Sequence, residues 1–144
     1  MNVKAILKQK GDKVIKIAPE ATVGEAAQVL KREGIGALVV SDQAGKIQGI
    51  VSERDIVAAL GDVTRRERLL EAQVNALMTR EVVSCTPADE VQKCMHLMTE
   101  HHIRHLPVME DGVMIGLVSI GDIVKSRLGE LESEAGFLRN IIAS

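Results

Sequence analysis

Two seven-residue stretches decide how this chain is read: Gly49-Ile50-Val51-Ser52-Glu53-Arg54-Asp55 and Gly116-Leu117-Val118-Ser119-Ile120-Gly121-Asp122. Both run glycine, two aliphatic residues, serine, two variable positions, aspartate. In each, the apolar residues end a strand, the serine opens a helix, and the aspartate takes the third helical position. The first N–H groups of a helix have no partner within the helix. Together with the helix dipole they favour an anion or polar ligand group there. The serine hydroxyl can cap the helix or reach a ligand. The aspartate has two oxygens and can accept both hydroxyls of a sugar 2′,3′-diol, in charge-assisted bonds of about 1.5–3 kcal/mol each. Serine followed three residues on by an acid is also a plain helix cap, so the motif alone leaves both readings open.

Working outward, the whole chain repeats. At an offset of 68, Val14 falls on Val82, Pro19 on Pro87, Val23 on Val91, Ile35 on Ile103, Leu38 on Leu106 and Val40 on Val108. One residue is lost in the next turn, and the two seven-residue stretches then align at 67. The lead-in recurs as well, Val3-Lys4-Ala5-Ile6-Leu7 resembling Val74-Asn75-Ala76-Leu77-Met78. Matches in this order mark a duplicated unit.

Within the first copy, Val14 to Ile17 predicts a short strand ended by Ala18-Pro19. Thr22 with Glu25 forms a capping box, and Val23, Ala26, Ala27 and Leu30 continue at helical spacing until Gly34. Ile35 to Val40 is a buried strand, Asp42-Gln43-Ala44-Gly45 a turn, Ile47 to Val51 the returning strand, and Glu53 to about Leu60 a helix capped by Ser52. The second copy predicts a strand Val82 to Cys85, a helix from about Glu90 to Glu100, strands Ile103 to Met109 and Met114 to Val118, and a helix after Ser119. The fold class is α+β: two β-α-β-β-α repeats, each with a sheet face that it cannot bury alone. They are expected to close sheet-to-sheet about a pseudo-two-fold axis and leave two grooves fit for small ligands. The divisions expected are 1–68 and 69–128, each a repeat with its lead-in, and 129–144, a packing helix. Gly61 to Gln73 reads as a polar, part-helical connector. In the tail, Leu131, Leu138, Ile141 and Ile142 form a helical stripe that packs on its own body or on a second copy.

Composition narrows the function. The 144 residues are 46% hydrophobic and 26% charged, with a net charge of −2. Charge of both signs is interspersed and no long basic run occurs, which argues against nucleic acid as the partner. Phe137 is the sole aromatic residue, so a bound base must lie between aliphatic side chains and backbone rather than on a stacking platform. Cys85 and Cys94 have neither metal nor disulfide spacing and read as buried thiols of a reducing compartment. The N-terminus shows no apolar signal region, and no apolar run approaches the ~20 residues that span a bilayer. The expectation is a cytoplasmic protein without membrane partners.

These residues together resemble a tandem CBS-domain chain, or Bateman module, of the small stand-alone bacterial type. The paired G-h-h-S-x-x-D copies, Val82 to Pro87 with Val91, and Ile103-Arg104-His105-Leu106-Pro107-Val108 carry the resemblance, which spans nearly the whole chain. It implies a non-catalytic regulatory module that binds an adenine nucleotide in its clefts and senses energy or redox state. AMP is the first expectation, with ADP, ATP or NAD(H) next and S-adenosylmethionine the alternative. By the same resemblance Asp55 and Asp122 take ribose hydroxyls, with Ser52 and Ser119 beside the ribose or phosphate. Lys16-Ile17-Ala18 and Cys85-Thr86-Pro87 line the adenine. Gly36-Ala37 and Arg104-His105 face the ligand. Arg54 stands where the second copy has Gly121, so the two sites differ in basic residues near phosphate. A homodimer and an unidentified protein target are the partners implied.

Three rival readings remain at this stage. His96, His101, His102 and His105 lie near Cys94, and His101 and His105 have the spacing of a helical zinc pair. Gly34, aligned with His102, marks a helix end, which places the two histidines on different elements; no metal site is assigned. No nucleophile elbow, P-loop, HExxH or acid–base dyad appears, so no catalytic residue is assigned. The third rival is a ligand-free interaction scaffold.

Overall fold

The computed structural model describes residues 1–11 and 13–143. The chain is an α+β protein that divides into two compact units, 14–82 and 1–13 with 83–144. The lead-in before the first repeat therefore belongs in space with the second repeat, so the compact units differ from the sequential divisions 1–68 and 69–128.

In the unit 14–82, β1 (Lys16–Ile17) runs parallel to β2 (Ala37–Ser41), which pairs antiparallel with β3 (Ile47–Ser52). The expected strand from Val14 is shortened to two residues, although Val39 still donates to the Ile15 carbonyl at 3.2 Å. Helix α2 (Val23–Glu33) begins with the predicted capping box, Thr22 Oγ1 accepting from Glu25 N and Glu25 accepting from Thr22 N, both at 3.1 Å. It stops at Gly34, whose φ of 65° lies in the left-handed region. Helix α3 (Glu53–Leu60) follows β3 directly. The connector forms 3-10 turns at Arg66–Glu71 and Val74–Ala76. Leu30, Leu38, Val40, Val51, Val74 and Met78 form the main core, with Val23, Ala59 and Leu69 packed as a second cluster.

The second lead-in crosses this core. Thr79 N donates to Ile50 O at 2.8 Å and Ile50 N to Thr79 O at 3.1 Å. This close crossing passes over Gly49, where a side chain would collide with the Thr79 carbonyl. The motif's first glycine is therefore a packing requirement.

In the other unit, α1 (Val3–Lys10) is capped by Asn2 and held by Val3 N on Asp89 O and Lys4 N on Pro87 O, both at 2.9 Å. Helix α4 (Val91–His101) ends at His102, a non-glycine residue at φ 55°. Strands β4 (His105–Glu110) and β5 (Val113–Ser119) pair antiparallel. The expected strand Val82 to Cys85 does not form. Only a parallel bridge from Cys85 to Val108 remains. Beyond that bridge the Thr86 N–H is turned to Asp89 Oδ2 at 2.8 Å as the chain enters the turn at Pro87. Val3, Ile6, Cys85, Cys94, Met98, Leu106, Val108, Val118 and Ile123 make the core.

Helix α5 runs unbroken from Ile120 to Ala143, so the expected tail helix is the continuation of the helix after Ser119. Leu131, Phe137, Leu138, Ile141 and Ile142 on this extension are exposed. No helix among the described residues is long and apolar enough to cross a membrane.

Candidate functional site

Each unit builds the same local structure where a strand hands over to a helix. In the unit 14–82, Ser52 closes β3 and caps α3. Ser52 N donates to Asp55 Oδ2 at 2.8 Å, Ser52 Oγ donates to the same oxygen at 3.1 Å, and Asp55 N donates to Ser52 Oγ at 3.3 Å. In the other unit, Ser119 N donates to Asp122 Oδ2 at 2.8 Å and Asp122 N to Ser119 Oγ at 3.1 Å. The capping reading is therefore correct for both motifs, and it occupies only one oxygen of each carboxylate. Among the described residues, Oδ1 of Asp55 and of Asp122 carries no hydrogen bond. Both aspartates are half-buried.

The next helical N–H in each unit is held by the start of the neighbouring strand. Glu53 N donates to Gly36 O at 3.0 Å, and Ile120 N to Arg104 O at 2.8 Å. In register, Ala37 lies opposite Ser52 and His105 opposite Ser119. The structure thus brings Gly36, Ala37, Ser52, Arg54 and Asp55 together at one mouth, and Arg104, His105, Ser119 and Asp122 at the other. Arg54 and Arg104 are exposed, while His105 is half-buried. The second-strand residues and the serine–aspartate motif share a mouth because an antiparallel pair joined by a turn must return to its own starting end.

The first-strand residues sit elsewhere. Lys16 is level with Val39 and Ile17 with Val40, two and three residues along from Ala37. At about 3.3 Å per residue that is roughly 7–10 Å from the mouth. Ala18 lies beyond the end of β1. Carried back along the register, Val14 and Ile15, both half-buried, are the first-strand residues nearest that mouth. Sequence reasoning passed over them and took Lys16-Ile17-Ala18, by resemblance, as the residues that line the adenine.

In the other unit Cys85 is level with Val108 and is 2% exposed, so its side chain joins the core rather than a surface. The Cys94 thiol beside it, with burial adding to the effect, pushes Cys85 above the ordinary thiol range, while Cys94 is held below that range. Thr86 and Pro87 form the turn that receives α1. Val83, half-buried, lies closer to the level of His105.

Lys10 is the residue that sequence reasoning missed. Its Nζ donates to Asp122 Oδ2 at 2.6 Å and to Leu117 O at 2.8 Å. Burial alone would raise the Asp122 pKa. The Lys10 hydrogen bond, the Ser119 N–H and the lysine charge outweigh it and hold the carboxyl below the usual range. Among the described residues Asp55 makes no ion pair.

His101 ends α4 and His105 opens β4, so the two do not share a helix face. An open hollow of about 730 Å³ lies against α1, lined by Asn2, Lys4, Leu7, Pro87 and Glu110 among others. It includes neither Ser119 nor Asp122.

The CBS-domain family model matches residues 3–62 and 74–129, with both serine–aspartate motifs inside the matched stretches. The chain belongs to the CBS-domain family. Its relatives include the CBS domain-containing protein YhcV of Bacillus subtilis, 31% identical over 128 residues, covering 89% of this chain and 88% of YhcV. Among solved structures, the CBS-domain containing protein ATU1752 from Agrobacterium tumefaciens superimposes with a TM-score of 0.85 at 39% identity, covering 88% of this chain and 99% of that one. The CBS domain pair of protein MJ0100, in complex with 5′-methylthioadenosine and S-adenosyl-L-methionine, superimposes with a TM-score of 0.78 at 27% identity, covering 90% of this chain and 98% of that one.

Proposed function

We propose that the two serine–aspartate mouths bind the ribose of an adenine nucleotide, AMP foremost, and that the chain is a regulatory module rather than an enzyme. The observation carrying this reading is the half-used carboxylate. A capping box occupies Oδ2 of Asp55 and of Asp122, and Oδ1 is left with acceptor capacity beside a helix N-terminus. A vicinal diol supplies two O–H donors at the spacing of one carboxylate. The scarcity of aromatics fits a base held by aliphatic side chains such as Val14 and Ile15 rather than stacked. On this reading the protein is cytoplasmic, acts as a homodimer, and reports nucleotide level to a protein target.

A second occupant has one observation in its favour: the MJ0100 domain pair was solved with 5′-methylthioadenosine and S-adenosyl-L-methionine. Both contain the same ribose diol, so the aspartate role is common to the two readings.

Thermal unfolding with AMP, ADP, ATP, NAD(H), S-adenosylmethionine and 5′-methylthioadenosine separates them. A ligand at 100 times its Kd adds about 2.7 kcal/mol, a rise of several degrees for a chain of this size. Asp55→Asn and Asp122→Asn keep a capping oxygen while removing the charge. Each is expected to weaken its own mouth by about tenfold, or 1.4 kcal/mol. No shift with any adenosine compound, or unchanged affinity in both variants, overturns the assignment.

A further inference from the structure

The two mouths are built alike but are not charged alike. Lys10, the last residue of α1, brings an ammonium within 2.6 Å of Asp122. The lead-ins align at an offset of 71, Leu7 with Met78, so the position matching Lys10 is Glu81, of opposite charge. At the other mouth Asp55 takes its hydrogen bonds from Ser52 alone among the described residues. Among the described residues the Asp55 carboxylate thus makes no ion pair, while the Asp122 carboxylate is paired with an amine.

A lysine ammonium has three donors on a flexible stem. At Lys10 one goes to Leu117 O and one to Asp122 Oδ2; among the described residues the third is not used. The side chain is about a third exposed, so its head can move without breaking core packing. A ribose whose two hydroxyls bind Asp122 competes with Lys10 for Oδ2. The same ribose carries its 5′ substituent a few ångströms away, within the reach of a lysine stem. At that distance the Asp122 charge works against a phosphate unless a cation stands beside it.

We propose that Lys10 is the anion-selecting residue of the Asp122 mouth: it holds Asp122 until ribose hydroxyls take the carboxylate, and then carries its ammonium to the ligand's 5′ phosphate. The inference rests on the reading that this mouth binds an adenosine ribose. It makes the Asp122 mouth prefer nucleotides over uncharged nucleosides, and it gives the N-terminal helix a direct part in the site of the second repeat.

The test is calorimetric titration of AMP and of adenosine into the full chain carrying Asp55→Asn, which weakens the Asp55 mouth about tenfold so that the tighter phase reports the Asp122 mouth. This background is compared with the same chain carrying Lys10→Gln or Lys10→Arg. Lys10→Gln is expected to weaken AMP by about tenfold and to tighten adenosine by a few-fold, because Asp122 is released to the diol. Lys10→Arg is expected to keep most of the AMP affinity. Opposite movements of the two ligands cannot come from simple damage to the fold. If both ligands shift in the same direction, or neither shifts, Lys10 does not select the anion and the ribose reading survives. If the Asp55→Asn background and the wild-type chain bind neither ligand, the ribose reading fails and this inference falls with it.

Discussion

Replacing Gly49 and Gly116 by alanine, one at a time, asks the same question of the same motif position in two different surroundings. Neither glycine needs a positive φ, so the cost is one of space alone. A Cβ at Gly49 would lie 2.5 Å from the Thr79 carbonyl oxygen and 3.0 Å from Met78 Sδ. The carbonyl is backbone, held there by the paired hydrogen bonds between Ile50 and Thr79. Making room requires the lead-in to lift by most of an ångström. Overpacking of this kind costs about 1–3 kcal/mol, and weakening two hydrogen bonds adds about 1 kcal/mol. The stiffer unfolded chain of alanine returns about 0.4–1 kcal/mol. The net expectation for Gly49→Ala is a loss of about 1–4 kcal/mol, centred near 2 kcal/mol. At Gly116 the nearest atom is Leu7 Cδ2 at 2.7 Å, with Cδ1 at 3.2 Å. A leucine tip can rotate aside for about 0.5–1.5 kcal/mol, so Gly116→Ala should lie within about 1 kcal/mol of wild type. Urea unfolding of both variants reads the difference in midpoint at constant slope. Equal losses, or a larger loss for Gly116→Ala, would refute the argument that a backbone crossing rather than a side chain sits over Gly49.

Asp122 should make stability depend on pH. Its folded pKa lies below the usual range, so its contribution is present above the unfolded value of about 3.9 and is lost as pH falls through the folded value. The stability gap between wild type and Asp122→Asn in urea should therefore be constant near neutrality and close below about pH 4; a gap that persists at acid pH would rule this out. Leu38 and Leu106 are both fully buried in separate cores, and each alanine variant should lose about 2–5 kcal/mol, measured as a fall in the urea midpoint. Gly34→Ala places a side chain at φ 65° and should cost about 1 kcal/mol in the same assay, whereas a neutral result would mean the helix end relaxes. Cys85 and Cys94 are buried and should resist a thiol reagent in buffer but react fully in denaturant; rapid labelling of native protein would contradict their place in the core.

Much of the fold was legible because its signals are local. Thr22 with Glu25, Gly34, and the serine–aspartate pairs each act over three or four residues, and each helix they bound begins or ends where they predict. The antiparallel pairs around the turns at 42–45 and 111–112 follow for the same reason, with ends moved by one or two residues. The strand expected at Val82 to Cys85 is reduced to the bridge at Cys85, since apolar character suits a core residue as well as a strand. The helix after Ser119 continues through Gly129 and Gly136, whose intrinsic cost of about 1 kcal/mol each did not end it.

Sequence by itself determined the duplication, the starts of α2, α3 and α5, the stop of α2 at Gly34, and the residues Ser52, Asp55, Ser119 and Asp122 that mark the two mouths. Those features are set by hydrogen bonds between near neighbours, which a pattern records. Tertiary structure decided that the first lead-in belongs with the second repeat, that Val14 and Ile15 rather than Lys16 to Ala18 lie nearest the mouth of the unit 14–82, and that Lys10 meets Asp122. That last pair is separated by 112 positions. A contact of that range depends on how α1 docks on the turn at Pro87 and Asp89, and no local spacing encodes it.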